Sequence, residues 1–159
     1  MVALDLQLTP LDADPRSLSE WLTTFPLVVV ALDPYTHESA WVLDSARRIL
    51  AHFSDAGCRP CWLLTCGPDD ARRFLGPYAD ELLTFTDPAG SVARGLGIEK
   101  TPAIALLRQD GEVTAMAEGW RAGDWREVVE AIATLTRWSR PEIPALGDPA
   151  PFAGTPIAG

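Results

Sequence analysis

Positive charge is scarce in this sequence. Its 13 Lys and Arg stand against 22 Asp and Glu, the formal net charge is −9, and Lys100 is the one lysine. Nucleic acids and anionic membranes reward clustered basic residues through counterion release, so neither is expected as a partner. Histidine is limited to His37 and His52, with no second ligand pair beside them. No metal site is therefore expected, and no cofactor. Met1 to Leu8 lacks the basic start and the apolar stretch of roughly 7–15 residues that mark a secretory signal. No apolar run approaches the ~20 residues that span a bilayer. The cysteines are three, Cys58, Cys61 and Cys66, and a cytoplasmic location that keeps them mostly reduced is the expectation.

What the chain does have is enough apolar residue for a core. At 159 residues and 47% hydrophobic, one domain can be buried without a disulfide staple. Leu27 to Leu32 is a continuous apolar, β-branched run bounded by Pro26 and Asp33-Pro34, which predicts a strand buried on both faces in the middle of a sheet. From Glu38 to Phe53, apolar residues at Val42, Leu43, Ala46, Ile49, Leu50 and Phe53 predict a helix ended by Gly57. Cys61 to Thr65 then reads as a second, parallel strand. Asp69 to Leu75 reads as a short helix with acids in its first turn, and Leu82 to Phe85 as a short strand. Ala103 to Arg108 and Val113 to Ala117, joined by Gln109-Asp110-Gly111, form a hairpin. A last helix places Trp125, Val128, Val129, Ile132 and Leu135 on one face, with Asp124 as its N-cap. Strands alternating with helices give an α/β domain over 1–139 with a mixed central sheet and helices on both faces. Residues 140–159 form a tail with prolines at 141, 144, 149, 151 and 156, unable to continue a helix. It reads as a loose tail, or as an arm that docks Ile143, Leu146 and Phe152 on the domain or a neighbouring subunit.

Six segments in order, Leu6 to Asp12, Ser17 to Trp21, Phe25 to Leu32, Trp62 to Thr65, Phe85 to Ile98, and Thr101-Pro102 through Asp110-Gly111, resemble the landmarks of the redoxin superfamily. That group holds peroxiredoxins of the alkyl hydroperoxide reductase and thiol-specific antioxidant type and the thioredoxin-like thiol reductases of cytochrome maturation. Asp87-Pro88-Ala89-Gly90 to Gly97 is the most specific stretch. The resemblance implies a thioredoxin fold, and a cis Thr101–Pro102 bond facing the junction between the first buried strand and the next helix. A Thr-Pro step leading into a strand suits that bond.

At that junction the family's thiol reductases carry Cys-x-x-Cys and its peroxiredoxins Thr-x-x-Cys. This chain carries Thr36-His37-Glu38-Ser39. Helix N–H groups can stabilise a thiolate there, but a hydroxyl neither ionises usefully at pH 7 nor forms a disulfide. Thr36 or Ser39 can instead serve as a helix N-cap. His37 and Ser39, two apart, do not share a helix face, so no hydrolase triad is expected. Cys58-Arg59-Pro60-Cys61 has the spelling of a redox motif, yet it precedes a strand and so lies at the sheet edge opposite Thr36. Cys66 ends that strand on the same edge as Thr36. It lies about 16 Å from Cys61 at ~3.3 Å per residue, too far for a disulfide. The resulting expectation is a non-catalytic or accessory protein that binds a protein or peptide partner in a cleft of Tyr35, Thr36, His37, Glu38, Ser39, Thr101 and Pro102. A homodimer is compatible with this. The alternative is a divergent thiol oxidoreductase or peroxidase using Cys66, or Cys58 and Cys61.

Overall fold

The computed structural model describes residues 1–157. The chain opens with β1 (Gln7–Pro10), β2 (Arg16–Ser17) and one helical turn, α1 (Leu18–Trp21). There follow β3 (Leu27–Leu32), α2 (His37–His52), β4 (Arg59–Leu64), α3 (Pro68–Leu75), α4 (Tyr78–Glu81), β5 (Leu83–Thr86) and α5 (Ser91–Gly95). The last elements are β6 (Lys100–Thr101), β7 (Ala103–Leu107), β8 (Val113–Glu118), α6 (Ala122–Thr136) and β9 (Thr155–Pro156). Seven strands make one sheet in the order β2-β1-β5-β4-β3-β7-β8, and β6 and β9 pair separately.

β3 is buried at all six positions because it lies inside the sheet and has helices on both sides, which is why its sequence does not alternate. The crossover through α2 makes β4 parallel to it, from Leu27 opposite Arg59 to Leu32 opposite Leu64, and β5 continues the parallel set. β7 runs antiparallel, with Leu27 opposite Leu107 and Ala31 opposite Ala103. The ends of β3 and β4 and the start of β7 therefore share one sheet edge. On one face Val42, Ala46, Ile49 and Leu50 of α2 join Val128 and Ile132 of α6 over Val28 and Val30. On the other, Leu18, Trp21, Val92 and Leu96 cover Val29, Cys61 and Phe85.

Two helix ends differ from expectation. α2 stops at His52 with Phe53 as its C-cap, ahead of the left-handed Gly57. α6 begins at Ala122 with Arg121 in the N-cap position rather than Asp124. The buried Trp125 donates its Nε1–H to the Gly119 carbonyl at 2.8 Å, which ties the first turn back to the end of β8. Asp124 falls inside that turn, where its charge still suits the helix dipole.

The loose-tail reading is corrected: the segment after α6 runs as an arm along α2. Trp41, Ser45, Arg48 and His52 lie on one helix face, and each touches it. His52 Nε2 is 2.9 Å from the Ser139 carbonyl, and Arg48 Nη1 donates to the Glu142 carbonyl at 2.7 Å. Arg48 Nη2 donates to both oxygens of Asp148 at 3.0 and 3.1 Å, Ser45 Oγ donates to Asp148 at 2.6 Å, and Trp41 meets the Phe152 ring edge-on at 5.7 Å. Of the three apolar anchors, Ile143 is buried and Phe152 half-buried, whereas Leu146 is fully exposed. A carboxylate that was not counted among the anchors, Asp148, does more than Leu146 because its side chain is 6% exposed and fully hydrogen-bonded.

Removing one partner of a shielded ion pair costs more than removing a solvated one. Asp148→Ala is expected to lower stability by about 2 kcal/mol, while Glu20→Ala, which breaks the exposed Arg16 pair, changes it by less than about 0.5 kcal/mol. Urea denaturation of the two variants checks this, and equal losses would contradict the role given to Asp148.

Candidate functional site

β3 delivers the chain to the shared edge at Asp33, and α2 carries it away. Thr36 stands at the N-cap position of α2 with extended backbone, but its side chain does not cap. Its Oγ1 donates to the Asp33 carbonyl at 3.0 Å and lies 3.2 Å from Ser39 Oγ, which accepts the Asp33 N–H at 3.0 Å. The hydroxyls are thus spent on the backbone that makes the turn. The Asp33 carboxylate accepts the Tyr35 N–H at 2.9 Å. Ser39 is buried, Thr36 and Glu38 are half-buried and His37 is exposed. His37 stacks on Trp41 at 6.5 Å. Tyr35 is 68% exposed and leans toward α3, where its hydroxyl donates to Asp70. That bond, with lesser help from burial and nearby negative charge, pushes the Tyr35 phenol up to about 12.

The structure places the three thiols in the core, unpaired. Cys66 follows β4, which starts at Arg59 and ends at Leu64, and it is 2% exposed. Burial pushes its thiol up to about 12, with Asp70 and Asp33 adding to the effect. Cys58 packs on one face of the sheet and Cys61 on the other. Burial pushes the Cys58 thiol up to about 11 and raises that of Cys61 as well.

Thr101 and Pro102 reach the same edge from the other side, through the pairing of Ala103 with Ala31. Their bond is cis, and the Pro102 carbonyl accepts the Gly119 N–H at 2.7 Å. Both residues are buried at this end of the candidate cleft. The arm lies over it: Thr155 pairs with Thr101 and Pro156 with Lys100. Thr101 Oγ1 is enclosed there without a hydrogen-bond partner. A concave surface lies between Pro26, Gly57, Arg108, Gln109 and Leu135 at the opposite edge. Sequence reasoning missed Trp41, Ser45, Arg48, Gly119 and Trp120 as contributors. The signal available was the second stripe of α2, its spacing of four, three and four residues from Trp41 to His52.

Among the described residues no three His, Cys, Asp or Glu side chains gather as a metal site, and no helix is long and apolar enough to cross a membrane.

No family model and no curated protein matches the sequence. Solved structures do. DsbF of MTB aligns over 85% of this chain and 99% of its own with a TM-score of 0.66 at 18% identity. A secreted Mycobacterium tuberculosis disulfide oxidoreductase homologous to E. coli DsbE covers 72% and 83% with a TM-score of 0.57 at 16% identity. Peroxiredoxin Q of Xanthomonas campestris covers 86% and 95% with a TM-score of 0.66 at 14% identity. The chain has the thioredoxin-like α/β fold of the redoxins.

A thiol held at about 12 is ~10³-fold poorer in thiolate at pH 8 than one at ~8.5. Ellman's reagent at pH 8 is therefore expected to label the native protein at least about 100-fold more slowly than the urea-unfolded chain. One thiol reacting at the unfolded rate in the native protein, traced by peptide mapping to Cys66, would contradict its burial.

Proposed function

We propose that this chain is a thioredoxin-fold binding module without thiol chemistry. In this reading the edge at Lys100–Thr101 pairs with an extended backbone segment of a protein partner, as sheet edges do in strand addition, and the Thr36–Ser39 turn supports that edge without reacting. The observation that carries it is the separation of Thr36 Oγ1 and Ser39 Oγ, 3.2 Å at the start of α2. Two side chains stand together where the resemblance puts a reactive pair, and both are hydroxyls. The thiols that could replace them are buried and disfavoured as thiolates.

Purified protein is expected to show no insulin-disulfide reduction and no peroxide consumption with a thioredoxin-type electron donor above a boiled control. Turnover that disappears in Cys66→Ser would overturn the reading in favour of an enzyme. Turnover lost in Cys58→Ser or Cys61→Ser would do the same and move the site to the opposite edge.

The turn itself can be tested by restoring sulfur. In a background of Cys58→Ala, Cys61→Ala and Cys66→Ala, the pair Thr36→Cys and Ser39→Cys is expected to close a disulfide, because the replaced oxygens already touch and two Cys at a helix start meet disulfide geometry. Reduced, the first of them should titrate below ~8.5. A folded variant that does neither shows that this turn is not the place of a lost redox pair.

A further inference from the structure

We propose that Phe152–Ile157 is an internal ligand: it occupies, within the same chain, the edge that the partner's strand would take, and its sequence states what that edge accepts. This rests on the binding reading above. The seven-stranded sheet is complete without the arm, and among the described residues β9 pairs only with β6. The contact is made by backbone. Thr155 stands opposite Thr101, the Ile157 N–H donates to the Glu99 carbonyl at 3.0 Å, and Phe152 and Trp120 exchange two bonds of 2.9 Å. The Glu118 carboxylate accepts the N–H groups of Glu99 and Lys100 at 2.6 and 2.9 Å, which holds β6 in place to be paired.

The fit is specific at three points. Phe152 lies against Trp41 and bridges to Trp120. Gly154 makes the closest approach: a Cβ there would stand 2.9 Å from Lys100 Cβ and 3.1 Å from the Thr101 carbonyl oxygen and the Gly119 nitrogen. Gly119 on the other side has φ +72° and would put a Cβ 2.6 Å from the Phe152 carbonyl oxygen. Ile157 packs on the core face that holds Val92 and Leu96. From Pro149 onward the arm has no charged side chain. The site thus selects an uncharged extended segment with an aromatic residue, a glycine two positions on, and an aliphatic residue three further.

The occupant is also displaceable. β9 is two residues long, and its Pro156 has no N–H to give. Thr101 Oγ1 stays unpartnered beneath it, and an enclosed hydroxyl without a partner is costly. An incoming segment that satisfies that hydroxyl gains what the arm lacks. It must still outcompete a tethered ligand whose effective concentration is of millimolar order.

The test uses the full chain, the double variant Phe152→Ala, Gly154→Val, and a fluorescent peptide of residues 150–157, acetylated and amidated, followed by anisotropy. Hydrogen exchange reads the backbone amides at position 152 and at Ile157 in both proteins. The proposal expects these amides protected in the wild type and released in the variant, with the peptide binding the variant at least tenfold more tightly. A peptide carrying Val at the position of Gly154 should lose that gain. Equal, measurable binding to both proteins overturns the internal-ligand proposal and leaves the binding reading standing. Released amides with no peptide binding to either protein overturn the binding reading, and the proposal with it. Amides unprotected in the wild type, or still protected in the double variant, overturn the proposal alone.

Discussion

The Asp148 carboxylate is the fixed point on which the arrangement of the site depends. It accepts hydrogen bonds from Arg48, from Ser45 and from the Ala145 N–H at 2.7 Å, and its side chain is 6% exposed. Ordering a proline-rich segment costs about 1–2 kcal/mol per residue in backbone entropy, somewhat less where proline already restricts the chain. Two apolar anchors, Ile143 and Phe152, sit at the ends of that segment, and Asp148 lies between them. The carboxylate is bound on several sides, so it sets the direction of the chain as well as its attachment. Arg48 holds Asp148 and the Glu142 carbonyl together, aiming the arm along α2 toward Trp41. From there Phe152 leads to β6.

The edge that receives the arm is made by topology. Because β3 and β4 are parallel and β7 is antiparallel to β3, the chain segments at Asp33, Cys66 and Pro102 all meet there. What meets is chemically quiet. Two hydroxyls close on the backbone of their own turn, a phenol donates to Asp70, and a thiol is buried beside two carboxylates that raise its pKa further. The phenol and the thiol are both pushed away from ionisation at neutral pH. In the binding reading proposed above, the edge keeps the thioredoxin-like arrangement of strands without a side chain disposed to act as a nucleophile.

The central strands β3, β4 and β7 were legible because apolar runs bounded by proline, glycine or aspartate have few other readings, whereas the short strands β1, β2, β6 and β9 were not read; the order of strands and helices carried the fold. Opposite-face placement of Cys58 and Cys61 follows from strand parity, and their distance from Thr36 from the crossover. The arm was not legible in the same way. Its anchors are sparse, its decisive residue is a charged one, and its contacts link positions 100 and 103 apart in sequence. On α2 the stripe from Trp41 to His52 mixes an indole, a hydroxyl, a guanidinium and an imidazole, which read as a solvated face. Leu146, the most apolar residue of its stretch, points to solvent, because the turn closed by Asp148 on Ala145 turns it outward.

If the edge binds a partner as proposed, without a nucleophile, it would discriminate by shape and backbone pairing. Such recognition is weak for any short strand, since main-chain bonds replace bonds to water and return about 1 kcal/mol each. An intramolecular occupant reduces it further: apparent affinity falls in proportion to the fraction of molecules whose edge is free. Selectivity gains from the same term. In the proposed exchange, a segment that merely matches the backbone would not displace the arm. One that adds the aromatic contact with Trp41, tolerates the Gly119 approach and pairs Thr101 Oγ1 would. The glycine pair, Gly119 and Gly154, is where this discrimination is strictest, because backbone faces backbone there within contact distance and no rotamer change can make room.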